Sequence, residues 1–261
     1  MNKKDIDRIA RDLFEAEKNK TTLNMFTTKY SELDVDVAYK IQKRLIELKS
    51  KEESSHLVGR KLGLTSKSKQ EMMGVHEPSY GVLLSSMALD EGTVVSLDDF
   101  IHPKIEPEIA FVFKRDLDGT TVSVTDVLEA TAYIAPAIEI IDSRYTDFKF
   151  TLADVIADNS SSSAFLIGHN FKKIEDVDLQ LMGMVMRRNS EIIATSAGAA
   201  VMGHPARAVA WMANKLIKEG ESVRAGEVVL SGALSEAFTI KSGDHFSVHF
   251  AGLGTLEVQF S

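Results

Sequence analysis

The run Ile105-Glu106-Pro107-Glu108-Ile109-Ala110-Phe111-Val112-Phe113 is apolar on both faces of an extended strand, except at two glutamates. Side chains alternate along a strand, so Ile105, Pro107, Ile109, Phe111 and Phe113 share one face. Glu106, Glu108, Ala110 and Val112 share the other. Neither face continues as solvated surface, so the strand is expected to be covered on both sides. A second such run, Ala132-Tyr133-Ile134-Ala135-Pro136-Ala137-Ile138-Glu139-Ile140-Ile141, is interrupted once, by Glu139. A buried ionised carboxylate is costly unless something pairs with it. Three converging carboxylates would make a hard anionic oxygen site, suited to Mg²⁺ or Mn²⁺. The bland reading of Glu-x-Glu is a solvated strand face, and the apolar continuation argues against it. Pro107 lacks an N–H, which predicts an edge, a bulge or a strand start there.

Outward from these strands, the N-terminal part reads as helical. Residues 4–18 carry Ile6, Ile9, Ala10, Leu13 and Phe14 at helical spacing, and Asp34 or Asp36 can cap a helix through about Lys51. From about residue 57 short strands and turns take over. A short helix is predicted from Ser66 to Met73, and 74–81 reads as a loop. Ser123-Val124-Thr125-Asp126 has capping-box form and starts a helix through about Ala132. His204 reads as a cap or packing residue before a helix that Pro205 opens and Gly220 ends. The C-terminal third reads as strands at 228–230, 246–250 and 255–260. The expected fold is α/β (α+β): a small helical N-terminal lobe plus a mixed β-barrel or β-roll. The expected division is 1–75 for the lobe, with the start of a substrate loop, and 76–261 for the catalytic domain.

The 261 residues carry a formal net charge of −8 and no cysteine. The acidity argues against nucleic-acid and anionic-membrane partners. The absence of cysteine excludes disulfides, thiolate nucleophiles and cysteine-bound metal clusters. No run approaches the ~18 apolar residues of a membrane span, and the N-terminus lacks an apolar signal core. A soluble, cytoplasmic protein is expected. No P-loop, Gly-x-Gly-x-x-Gly fingerprint or Gly-x-Ser-x-Gly elbow is present. The histidines form no metal-ligand pattern.

Five segments in this order and spacing resemble the hydratase/decarboxylase branch of the fumarylacetoacetase-like superfamily. They are 59–66 (Gly-Arg-Lys-Leu-Gly-Leu-Thr-Ser), 103–110 (Pro-Lys-Ile-Glu-Pro-Glu-Ile-Ala), 138–144 (Ile-Glu-Ile-Ile-Asp-Ser-Arg), 157–161 (Ala-Asp-Asn-Ser-Ser) and 203–205 (Gly-His-Pro). The resemblance spans nearly the whole chain. It implies an enzyme of the catechol meta-cleavage pathway dependent on Mg²⁺ or Mn²⁺, with Glu106, Glu108 and Glu139 as metal ligands. It also implies a role for Lys61 at the substrate's carboxylate or developing enolate oxygen. Two sister activities share the branch: decarboxylation of 2-oxo-3-hexenedioate and hydration of 2-hydroxypenta-2,4-dienoate. The stretch from Asp142 to Phe150, with Tyr145 and Phe148-Lys149-Phe150, looks more like the decarboxylases. Pro107 departs from the family pattern, which usually has a small residue there.

Ser161 or its neighbours are candidates to hydrogen-bond substrate, with a simple turn as the alternative. Glu77 and Tyr80 are candidates for a loop closing over the site. Asp142 and Arg144 are candidates for the distal carboxylate, with a structural ion pair as the alternative. Hydrolysis of an acylpyruvate, with His76 beside Glu77, and a non-catalytic partner subunit are lesser readings. The expected partners are a 2-oxo acid, further copies of the chain, and a vinylpyruvate hydratase.

Overall fold

A computed structural model describes the backbone of residues 1–261 and every side chain except those of Ser68, Met72 and Met73. Two helices come first, α1 (Lys3–Lys18) and α2 (Val35–Glu52). Asn2 caps α1 by accepting from the Asp5 N–H at 3.0 Å, and Asp34 caps α2 through the Val37 N–H at 2.8 Å. Then follow β1 (Leu57–Gly63), α3 (Lys67–Met73), β2 (Ser79–Leu84), β3 (Ala88–Leu89), β4 (Val94–Val95) and β5 (Lys104–Phe113). Next come α4 (Val124–Ala130), β6 (Thr131–Ile141), α5 (Leu152–Ala157), β7 (Ser162–Ile167), β8 (Gly183–Arg188) and β9 (Glu191–Ala197). The chain closes with α6 (Pro205–Lys218), β10 (Val228–Leu230), β11 (Phe238–Thr239), β12 (His245–Phe250) and β13 (Gly254–Phe260).

The strands form two sheets. The larger runs β2-β1-β10-β5-β6-β7-β3, with β11 also on β5, and curls into a half-barrel. The smaller runs β4-β13-β12-β8-β9. One face of β5, through Ile105, Ile109 and Phe111, joins Ile134 and Ile138 of β6 in the main core. That core continues through Met184 and Met186 of β8, Phe246 and Val248 of β12, and Val209 and Met212 of α6. Ile9, Leu13, Ile41 and Leu45 of the first two helices belong to the same core. The other face of the large sheet carries the glutamates. Beside them lies a smaller apolar floor that includes Ala110, Ala135, Ala137, Leu83 and Leu230.

Three boundaries differ from the sequence reading. β1 lies between β2 and β10 inside the large sheet, so the helical part ends at Glu52 rather than at residue 75. α4 stops at Ala130 because Thr131 already pairs with Phe113 of β5, and Ala132 is in strand β6. Pro107 is neither a strand start nor an edge: it lies within β5 opposite Ile138. Its carbonyl accepts the Leu234 N–H at 2.9 Å, and β10 and β11 leave β5 between them at this point. A residue's N–H and C=O point to the same side of a strand, so the missing N–H falls where the ladder is already interrupted by the chain at 231–237.

Candidate metal centre

The pairing of β5 with β6 sets Glu106 directly opposite Glu139, with Glu108 two residues along on the same face. One carboxylate oxygen from each lies within 4.8 Å of the other two. Glu108 and Glu139 are fully buried and Glu106 is 7% exposed. The surrounding elements supply partners, though not enough for every oxygen. Gly232 N–H donates to Glu108 Oε2 at 2.6 Å. Gly232 has φ +103°, and a Cβ there would stand 2.2 Å from Thr65 Oγ1, so glycine alone fits this approach. The Ser162 hydroxyl donates to Glu139 Oε1 at 2.8 Å, and Lys69 of α3 donates to Glu106 Oε1 at 2.7 Å.

Lys61 points from β1 into the same face. Its Nζ lies 3.0 Å from Glu139 Oε2 and donates to the Ser160 carbonyl at 3.0 Å. Asn159, Ser160 and Ser161 all have positive φ, at 52°, 51° and 56°, in a tight left-handed turn that aims this carbonyl inward. Gly81, opposite Lys61 on β2, makes room for the turn: a Cβ there would lie 2.5 Å from the Asn159 carbonyl oxygen.

Burial and mutual repulsion set the electrostatics. Burial, then the neighbouring Glu139, push the Glu108 carboxyl well above the usual carboxylate range. Burial also raises Glu139, against the pull of Lys61. Burial acts the same way on Glu106, but Lys69 and Lys61 outweigh it and hold that carboxyl low. Burial alone would lower the Lys61 ammonium; Glu139, Glu106 and Glu108 more than reverse this, so it stays protonated.

Glu108 Oε1 accepts no hydrogen bond, and Glu139 Oε2 faces Lys61 without hydrogen-bond geometry. Buried, under-satisfied carboxylate oxygens converging on one point are what a hard divalent cation requires. The donor set therefore fits Mg²⁺ or Mn²⁺, with Glu106, Glu108 and Glu139 as the residues that would hold it.

A cavity of about 570 Å³ reaches Glu106 and Lys61, with Glu108 and Glu139 buried off its wall. Lys61, Leu62 and Leu64 line one side, with Lys69 of α3. Lys104, Glu106, Phe148, Phe150 and Val155 line another, Ser160 and Ser161 a third, and residues 233–237 complete the wall. Of the residues singled out in the sequence, Lys61, Glu106 and Ser161 line this cavity. The Ser161 hydroxyl also lies 3.3 Å from Asp158 Oδ2.

Four other candidates stand elsewhere. Tyr80 is in strand β2, not in a loop. Its ring stacks on Tyr39 at 4.5 Å and its hydroxyl donates to Glu219 at 2.9 Å, away from the cavity. Glu77 is half-buried on the loop before β2, off the cavity wall. Asp142 is buried and accepts the Ile101 and His102 N–H groups at 2.7 and 2.8 Å. Arg144 is buried in an ion pair with Asp158 and donates to the Asp142 carbonyl at 2.7 Å. Arg144 is thus in a structural ion pair, with Asp158 rather than Asp142, while the Asp142 carboxylate is held by backbone N–H groups. Lys69, Lys104, Phe148 and Phe150 received no role from the sequence. Lys69 was visible only as one lysine of a short helix, and the docking of that helix is what brings it to Glu106.

The profile described as fumarylacetoacetate (FAA) hydrolase C-terminal matches residues 55–261. A 4-oxalocrotonate decarboxylase of Pseudomonas putida is 39% identical, with 100% of this chain and 98% of the relative covered. A 2-hydroxyhexa-2,4-dienoate hydratase of Comamonas testosteroni is also 39% identical, covering 100% and 99%. The solved structure of 4-oxalocrotonate decarboxylase from Pseudomonas putida G7, complexed with magnesium and adipate, superposes with a TM-score of 0.96. It shares 37% identity, with 100% of this chain and 99% of that one covered. The profile match takes in both glutamate-bearing strands and Lys61, and on it the chain belongs to the fumarylacetoacetate hydrolase family.

Proposed function

We propose that the protein is a divalent-metal-dependent decarboxylase that converts 2-oxo-3-hexenedioate to 2-hydroxypenta-2,4-dienoate and CO₂ in the catechol meta-cleavage pathway. The observation that carries this reading is the buried convergence of Glu106, Glu108 and Glu139, with Glu108 Oε1 unpaired and the Lys61 ammonium 3.0 Å from Glu139. The relatives named decarboxylase, one of them solved with magnesium and a six-carbon diacid, support it. A Mg²⁺ or Mn²⁺ ion held by the three glutamates supplies a Lewis acid for a 2-oxo acid.

The chain's own residues do the rest. In decarboxylation the C5–C6 bond breaks and its electron pair forms the C4–C5 double bond. The former C3–C4 pair moves to C2–C3, and the C2 oxygen takes up the charge and then one proton. The protonated Lys61 stands beside the triad, where it opposes that developing charge and can donate the proton. Ser160 and Ser161 line the wall, their hydroxyls donating to the Tyr80 carbonyl and Asp158. Leu62, Leu64, Phe148, Phe150 and Val155 make much of the wall apolar, which keeps water from the departing carboxylate.

The hydratase reading is retained because the Comamonas relative matches as well as the decarboxylase does. It uses the same enolate chemistry but adds water at the distal alkene. Product analysis separates the two. Metal-dependent CO₂ release from 2-oxo-3-hexenedioate supports the decarboxylase. Conversion of 2-hydroxypenta-2,4-dienoate to 4-hydroxy-2-oxopentanoate, without CO₂ from the diacid, overturns it.

Self-association, a complex with the hydratase that consumes the product, and a cytoplasmic location belong to the same proposal. Light scattering of the protein alone and mixed with such a hydratase tests the first two. Among the described residues, no helix is long and apolar enough to cross a membrane.

A further inference from the structure

We propose that Lys104 is the specificity-determining residue for the distal carboxylate of the substrate, with Phe148 holding its ammonium in place. The inference rests on the decarboxylase reading and deepens it, since a hydratase substrate with one carboxylate has nothing for Lys104 to bind.

Three ammonium groups reach the cavity wall: Lys61, Lys69 and Lys104. Lys61 faces Glu139 and the Ser160 carbonyl, and Lys69 is paired with Glu106. Lys104 makes no ion pair among the described residues. Its Nζ instead lies 4.0 Å from the centroid of the Phe148 ring, which also packs on the His102 ring at 4.6 Å. A ring face directs an ammonium without neutralising it. Glu236, the other carboxylate of the wall, is exposed at the rim and forms no ion pair among the described residues. An incoming carboxylate therefore has no resident carboxylate to displace from Lys104, and gains a charge-assisted hydrogen bond.

The spacing fits a diacid. Lys104, Glu106 and Glu108 alternate onto one face of β5, so Lys104 stands next in line to the glutamates. Two residues of strand rise ~6.6 Å. Five carbon–carbon bonds in an extended six-carbon diacid separate its end carbons by about 6 Å. A substrate with its 2-oxo acid end at the glutamates thus brings its other carboxylate to Lys104. Phe148 sits on the chain at 146–148, which is tied to the N-terminal part through the Thr146 N–H bond to the Leu23 carbonyl at 3.0 Å.

The test compares two saturated acids that lack the conjugation needed for decarboxylation, 2-oxohexanedioate and 2-oxohexanoate. Their dissociation constants are measured by calorimetry with Mg²⁺. The unaltered protein is expected to bind the diacid more tightly. Lys104→Met is expected to weaken the diacid by about 10- to 100-fold and to leave the monoacid within about twofold, the range for losing a charged hydrogen bond. Unchanged monoacid binding shows that the variant is folded. Lys104→Arg restores the discrimination, and Phe148→Leu weakens diacid binding with Lys104 intact. An equal loss for both acids, or no loss for the diacid, overturns the assignment. CO₂ release from 2-oxo-3-hexenedioate by the unaltered protein is scored separately. Lys104-dependent discrimination without CO₂ release leaves this inference standing and sinks the decarboxylase reading. CO₂ release without Lys104 dependence does the reverse.

Discussion

The folded chain compensates a charge on Glu108 poorly, which is why its carboxyl is held well above the usual range. It is fully buried, one oxygen accepts a single N–H, the other accepts none, and Glu139 repels it. A group kept under such conditions is a cost to the fold unless a cation joins it. Glu108→Gln keeps the shape and removes the charge. We expect Mg²⁺ affinity, measured by calorimetry, to fall by at least about 100-fold, beyond the range seen for groups that only orient ligands. The metal-free variant should gain roughly 0.5–2 kcal/mol of stability, as when strain at a functional site is relieved. Unchanged Mg²⁺ affinity would remove Glu108 from the ligand set. By the same logic, Mg²⁺ at a hundred times its dissociation constant should stabilise the unaltered protein by about 2.7 kcal/mol, and a chelator should abolish the gain. The three glutamates were legible in the sequence because each breaks an apolar strand pattern. Asp142 and Arg144 also follow such a strand, but their partners are Ile101, His102 and Asp158. Sequence alone does not say whether a buried charge meets a ligand or another loop.

Local signals fixed most elements well. Ser123 and Asp126 form the expected capping box, Asp34 caps α2, and His204 caps α6. Two features of the second glutamate strand escaped: it begins at Thr131, and its register sets Glu139 against Glu106. Pairing between strands is long-range, and no turn joins β5 to β6 directly. The His204 cap makes a pH prediction. Its Nδ1 accepts the Ala206 N–H at 3.1 Å, which requires a neutral ring. Burial, then Arg207, hold its pKa below the ordinary value. The unfolded chain therefore takes up a proton more readily than the folded one. The stabilisation is complete above about pH 6.5, the unfolded value, and is lost as pH falls through the lower folded value. His204→Ala should cost about 1 kcal/mol at pH 8, and less at pH 5. Urea midpoints at both values check this, and a gap that stays constant would mean the ring is not the cap acceptor. Among the strands, Gly81→Ala should lower both stability and turnover, because a Cβ there meets the Asn159 carbonyl at 2.5 Å and Lys61 Cδ at 3.2 Å. Equal loss from Gly183→Ala on β8, where a Cβ meets nothing within 4 Å, would show that crowding is not the cause.

At the scale of the molecule, the helical N-terminal part is not a separate body. Its helices share one core with both sheets, although the family profile begins only at residue 55. The sequence showed the helices but not this attachment, which runs through the segment joining them. Leu23 exchanges backbone hydrogen bonds with Arg144 and Thr146, at 2.8 and 3.0 Å. Asp154, fully buried on α5, accepts from the Thr27 N–H at 3.1 Å and the Thr27 hydroxyl at 2.6 Å. It also accepts from the Thr151 hydroxyl and N–H, at 2.7 and 3.1 Å. Between these two ties lie Phe148 and Phe150 of the cavity wall. The N-terminal part thus steadies the wall, while the triad and Lys61 rest on the sheet. Asp154→Ala removes the acceptor of the partly buried Thr27 N–H and hydroxyl and the α5 capping contact, and should cost about 2 kcal/mol. It should also raise KM for the diacid severalfold with a much smaller change in kcat, since the wall loosens and the reacting groups do not. Thr27→Val removes one hydroxyl and should lose about 1 kcal/mol with a proportionate change in KM. If Asp154→Ala destabilises the protein yet leaves KM where it was, the tie holds up the fold and has no part in shaping the site.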